Sequence, residues 1–123
     1  MENPTKTTIF AAENHYFMCN HNEVIEGIRS VAEKALPKSG RIYLYGSRAR
    51  GDAHEDSDWD LLVILDKPQI EQSDYDNVSY PLTSLGWDLG EMIIPVMYTK
   101  EEWDKSSFTP FYKNVVQDGI LIA

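Results

Sequence analysis

The chain has a single cysteine, Cys19, so no disulfide can form within it, and a plain partly buried residue accounts for that thiol better than a nucleophile. It also has no apolar stretch near the ~20 residues needed to span a bilayer. The N-terminus lacks a basic start followed by an apolar run, so nothing there reads as a secretion signal. These absences make the cytoplasm the expected compartment and exclude a membrane role. Basic residues are scarce as well: 11 Lys and Arg stand against 20 Asp and Glu, for a net charge of −9. No basic stripe offsets that charge, which argues against a long nucleic acid as partner. A nucleotide fits better, because a divalent ion can bridge carboxylates to phosphates. Repeats, linkers and low-complexity runs are missing too, and 123 residues suit one domain, 1–123, with residues 1–7 as a polar, frayed tail.

What is present reads as alternating helices and strands. The stretch from Ile9 to Asn20 has apolar residues on too many faces to assign. From Asn22, Val24, Ile25, Ile28, Val31, Ala32 and Leu36 recur at helical spacing until Pro37 and Gly40 end the helix. Arg41 to Tyr45 is a short β-rich strand broken by Gly46. Asp58 to Leu65 is a second strand, nearly continuously apolar in its later part, as a strand covered on both faces would be. Gln69 to about Leu85 is predicted to be a helix disturbed near Pro81. Glu91 to Tyr98 reads as a third strand, and Pro95 places it at an edge or a bulge. Thr99 to Glu102 fits a capping box opening a short helix. Thr109-Pro110 fits the start of another helix, which Gly119 ends, and Ile120 to Ile122 is a last strand or a docked tail. This order predicts an α+β or mixed α/β chain around a small sheet.

The chemistry concentrates in YGSRARGDAHEDSDWDLLV. Gly46 lets the backbone turn tightly and approach a ligand. If Ser47 opens a helical turn, its hydroxyl and the backbone N–H groups face an anion such as phosphate, with Arg48 or Arg50 adding a charged contact. Asp58 and Asp60, two apart at a strand start, share one face, with Trp59 on the other. Two such carboxylates repel unless a cation sits between them, and magnesium, or manganese in its place, is the hard ion that suits oxygen ligands. Other residues carry weaker signals. His54, Glu55 and Asp56 read as surface loop residues, Trp59, Trp87 and Trp103 as core or interface packing, and Lys105 and Lys113 as isolated cations.

Gly46-Ser47, Ala49-Arg50-Gly51 and Ser57-Asp58-Trp59-Asp60-Leu61 together resemble the signature of the DNA polymerase beta-type nucleotidyltransferase superfamily. The likeness is closest to its minimal nucleotidyltransferases, whose pattern is Gly-Ser, then Ala-Arg-Gly, then Ser-Asp-x-Asp-Leu. The resemblance implies the nucleotidyltransferase fold, a small mixed β-sheet flanked by helices. It further implies that Gly46 and Ser47 hold a nucleoside triphosphate while Asp58 and Asp60 bind magnesium. A third carboxylate is implied on a neighbouring strand as metal ligand and base, for which Glu91 is the first candidate and Asp88 the second. The implied reaction moves a nucleoside monophosphate, AMP from ATP in the first instance, to a hydroxyl on a protein or small molecule with release of pyrophosphate. Minimal members often pair with a small helical toxin-like protein, so that partner, or a second copy of the chain, is expected to complete the acceptor site. The alternative is a binding module that neutralises such a partner by contact alone.

Overall fold

The computed structural model describes residues 21–123; the N-terminal stretch, with its expected tail, its unassigned segment and Cys19, lies outside the described residues. Helix α1 (His21–Ala35) buries Val24, Ile28 and Ala32, one apolar residue per turn. Four strands follow through the chain: β1 (Arg41–Tyr45), β2 (Trp59–Leu65), β3 (Ile93–Thr99) and β4 (Ile120–Leu121). They form one sheet in the order β3-β2-β1-β4. β1 runs antiparallel to β2 and to β4, and β2 runs parallel to β3, so the sheet is mixed. Pro95 is tolerated in β3 because that strand lies at the edge, where a missing N–H costs no ladder bond. Of the two readings of the C-terminal end, a strand or a docked tail, the strand forms, as β4 after the last described helix.

Alternation along the strands divides the core in two. On one face Ile42, Leu44, Trp59, Leu61, Val63, Leu65 and Ile93 pack under α1 and under Val78 and Leu82 of the central helical segment. On the other, Leu62 and Ile64 meet Trp103 and Val115, ringed by Tyr43, Tyr45, Tyr98, Phe111 and Tyr112. β2 is therefore covered on both sides, which is why its sequence after Asp60 reads as an unbroken apolar run. Each such buried aliphatic side chain contributes roughly 1.5–3 kcal/mol by leaving water.

The central helical segment departs from its sequence-based reading in an informative way. After the four-residue helix α2 (Ser47–Arg50) and strand β2, it runs from a short turn, α3 (Gln72–Asp74), through a π-helical stretch, Tyr75–Ser79, into α4 (Tyr80–Leu89). The disturbance thus falls in the turn before Pro81. Proline lacks the N–H that would bond the carbonyl four residues back and its ring crowds that carbonyl, and the wider π-helical turn accommodates both. The helix also continues past Leu85 to Leu89. After β3, Thr99 and Glu102 form the reciprocal capping box that starts α5 (Lys100–Lys105). Thr109 accepts the Tyr112 N–H at 3.1 Å to start α6 (Pro110–Asp118). No helix among the described residues is long and apolar enough to cross a membrane.

Candidate functional site

The antiparallel pairing of Tyr45 with Asp60 brings the end of β1 to the beginning of β2. Two segments distant in the motif, Gly46-Ser47 and Asp58–Asp60, therefore become neighbours. Gly46 adopts φ 76° and ψ −159°, a region that is in practice reserved for glycine. Its backbone lies against the Asp60 carboxylate so closely that a Cβ at position 46 would stand 2.5 Å from Oδ2. Glycine is thus required twice, by the dihedral angles and by the space. Ser47 opens α2, with the Gly46 carbonyl accepting from the N–H groups of Ala49 and Arg50 at 3.0 Å each. Gly51 closes the turn with a bond to Ser47 O at 3.0 Å. The loop beyond is held by reciprocal bonds between His54 and Ser57, and His54, Glu55 and Asp56 are exposed, as their sequence position suggests.

The electrostatics follow from that placement. Burial, and then the Asp58 carboxylate, push the Asp60 carboxyl above its ordinary value, while Arg50 pulls in the opposite direction. An exposed Asp58 and a partly buried Asp60 therefore form a like-charged pair, which suits a divalent cation with oxygen ligands. Arg50 is half exposed, pairs with Asp52 at 3.2 Å and acts on Asp60, so it stands next to the pair with capacity for an anion. A hard divalent cation would fit this donor set through Asp58, just before β2, and Asp60 within it.

Other expected members are placed elsewhere. Glu91 does not join the pair: its Oε1 accepts the indole N–H of Trp59 at 2.9 Å and lies 3.5 Å from Arg48 Nη2. Trp59 faces the opposite side of β2 from Asp60, and Glu91 goes with it. Asp88 is an exposed residue near the end of α4, the helix that lies with α1 on that same opposite side. Among the described residues no three His, Cys, Asp or Glu side chains converge to hold a metal. The position on β3 beside Asp60 is Ile94, by the parallel register, and it is 39% exposed. Arg48, expected at the phosphates, instead donates to the carbonyls of Ser57 at 2.9 Å and Glu55 at 3.5 Å.

Two residues beside the carboxylates carried no motif signal. Tyr45 is the cross-strand partner of Asp60, and burial, then Asp60 and Tyr98, push its phenol above the ordinary value. Ile94 is recognisable only once the register of β3 is known. Of the tryptophans, Trp59 and Trp103 are buried, whereas Trp87 is 59% exposed and meets Tyr80 edge-on.

Comparison with known proteins agrees with this geometry. The family model of the nucleotidyltransferase domain matches residues 25–121. A protein of Methanocaldococcus jannaschii named as a protein adenylyltransferase is 29% identical over 105 residues, covering 85% of this chain and 99% of the relative. A crystal structure of a toxin–antitoxin with AMP-PNP superposes with a TM-score of 0.58 at 23% identity, over 80% of this chain and 72% of that one. A mutant of the toxin–antitoxin pair MntA–HpeT gives 0.55 at 22% identity, over 85% and 73%. With the motif, the sheet and the paired carboxylates in place, this chain belongs to the nucleotidyltransferase domain family.

Proposed function

We propose that this nucleotidyltransferase moves the AMP group of ATP to a hydroxyl on a protein, using magnesium held by Asp58 and Asp60. The observation that carries the reading is the close approach of the Gly46 backbone to the Asp60 carboxylate, which supports a phosphate-binding role for a turn lying against one of the paired acids. The archaeal relative's name supports a protein acceptor. The toxin–antitoxin setting of two proteins of the same fold makes a small partner protein the acceptor to test first.

In this mechanism Gly46 and Ser47 present backbone and hydroxyl to the triphosphate, and Arg50 adds a cation at the phosphates. Bound magnesium would supply the positive charge that polarises the α-phosphate. Asp58 and Asp60 would hold that ion beside the Gly46-Ser47 turn, because two bare carboxylates would otherwise repel the phosphates. The acceptor oxygen forms the new bond to phosphorus, the bond to pyrophosphate breaks, and the hydroxyl proton passes to solvent or to a base supplied with the acceptor. Among the described residues, no carboxylate apart from Asp58 and Asp60 is placed for that last role.

That vacancy of function at position 94 favours a second reading, a weakly catalytic or non-catalytic module that neutralises its partner by contact. Labelled ATP, the chain and its genomic neighbour's product separate the two. Label on a hydroxyl of the partner, lost when Asp58 and Asp60 are both changed to alanine, supports transfer. A tight complex without label supports the contact reading and overturns the first.

A further inference from the structure

Arg48 follows Ser47 within α2, yet its guanidinium runs back across the loop into the body of the protein. Besides its bonds to Ser57 O and Glu55 O, its central carbon stands 4.6 Å from the centroid of the Trp59 ring. Glu91 Oε1 completes the arrangement by receiving the Trp59 indole N–H and pairing with Arg48. The ring of His21 at the start of α1 packs on Trp59 at 5.0 Å. The side chains of Arg48 and Glu91 are 14% and 9% exposed. One guanidinium thereby joins four parts: the phosphate turn, the loop end just before Asp58, the residue between the two acids, and the entry to β3.

Glu91 is itself fixed. Its N–H donates to Gly86 O at 2.8 Å, and a Cβ on Gly86 would stand 2.8 Å from the Glu91 carbonyl, so α4 holds the strand entry closely. Arginine suits position 48 because its planar fork can donate to a carbonyl, pair with a carboxylate and lie over an aromatic ring at once, which a lysine ammonium cannot.

We propose that Arg48 and Glu91 are positioning residues, which with Trp59 hold the Gly46-Ser47 turn in place over Asp58 and Asp60 without touching phosphate or metal. The proposal rests on nucleotidyl transfer occurring at that centre, where a misplacement of about 1 Å can cost about 100-fold in rate. It also explains why the glutamate that resembles a third metal ligand in the sequence is turned to the other side of the strand.

The test uses Arg48→Ala, Arg48→Lys, Glu91→Gln and the Arg48→Ala/Glu91→Gln double variant of the full chain. Three quantities are measured: kcat and KM for MgATP, Mn2+ binding by electron paramagnetic resonance, and amide hydrogen exchange at Ala49, Arg50 and Gly51. The clamp predicts a kcat loss of about 10–100-fold in Arg48→Ala with KM little changed. Exchange at the three amides rises by about tenfold or more, and Arg48→Lys falls between wild type and alanine. Glu91→Gln keeps Mn2+ binding, and the double variant is no worse than Arg48→Ala, because both remove one device. A large rise in KM at retained kcat would instead make Arg48 a phosphate contact. Loss of Mn2+ binding in Glu91→Gln would make it a metal ligand, and unchanged amide exchange in every variant would remove the clamp. Should wild type transfer nothing, exchange and Mn2+ binding still decide the clamp, and only the transfer reading fails. Should Arg48→Ala not fold, Arg48→Lys against Glu91→Gln carries the same comparison.

Discussion

Replacing Gly46 by alanine tests the geometry of the centre directly, because two independent consequences follow from one methyl group. The first is conformational: φ 76° with ψ −159° is nearly closed to residues with a Cβ, at a cost of about 1–3 kcal/mol. For a domain of this size that corresponds to a melting temperature lower by roughly 4–12 °C. The second is spatial. The new Cβ would stand 2.5 Å from Asp60 Oδ2, whereas an ordinary C···O separation is about 3.3–3.6 Å, so the carboxylate must retreat by about 1 Å. A retreat of that size removes Asp60 from Asp58 and from the phosphate turn, and should lower the rate of transfer by about 100-fold. Differential scanning fluorimetry measures the first effect, and titration of Mn2+ with and without ATP follows the second. The clash can be separated from the backbone strain by adding Asp60→Ala, which makes room. The double variant should recover part of the stability lost in Gly46→Ala, a non-additivity that only direct contact produces. A Gly46→Ala protein with wild-type melting temperature and Mn2+–ATP affinity would refute the placement of Asp60 against the turn.

Two further outcomes are expected. Ile94→Asp places a carboxylate beside Asp60 on β3 and should tighten Mn2+ binding by about tenfold; unchanged affinity would mean that the side chain at 94 does not face the pair. Asp60→Asn should raise the melting temperature of the metal-free protein at neutral pH while abolishing metal-dependent ATP binding. The sign follows from the raised Asp60 carboxyl: its folded pKa lies above the ordinary 3.8, so the folded state is penalised at higher pH and gains stability as pH falls through that folded value. The advantage of Asp60→Asn should therefore shrink as pH approaches 3.8, and an advantage that grew on acidification would contradict the assignment.

Much of the fold is legible in the sequence because its signals are local. The periodicity from Val24 to Ala32, the capping box at Thr99, the N-cap at Thr109, and Pro95 at a sheet edge each act within a few residues. The π-helical turn before Pro81 is a partial exception, since proline announces a disturbance but acts on carbonyls a turn earlier. The motif likewise gives the family, because Gly46-Ser47 and Asp58–Asp60 are spaced for a strand, a turn and a second strand.

The third carboxylate is where local reading stops. From sequence, Glu91 is simply an acid at the start of a strand beside β2. Which face it takes depends on register, and the pairing of Trp59 with Ile93 and of Asp60 with Ile94 decides it. A side chain one residue out of step belongs to the other side of the sheet. Arg48 is decided the same way, since nothing in Gly-Ser-Arg tells whether the guanidinium turns to a ligand or back to Trp59. The sequence by itself determined the fold, the family and the paired acids, because these rest on patterns within continuous stretches. Only the tertiary structure decided that Glu91 and Arg48 pair beside Trp59 and that Ile94 stands beside Asp60, because strand register is a relation between segments far apart in the chain.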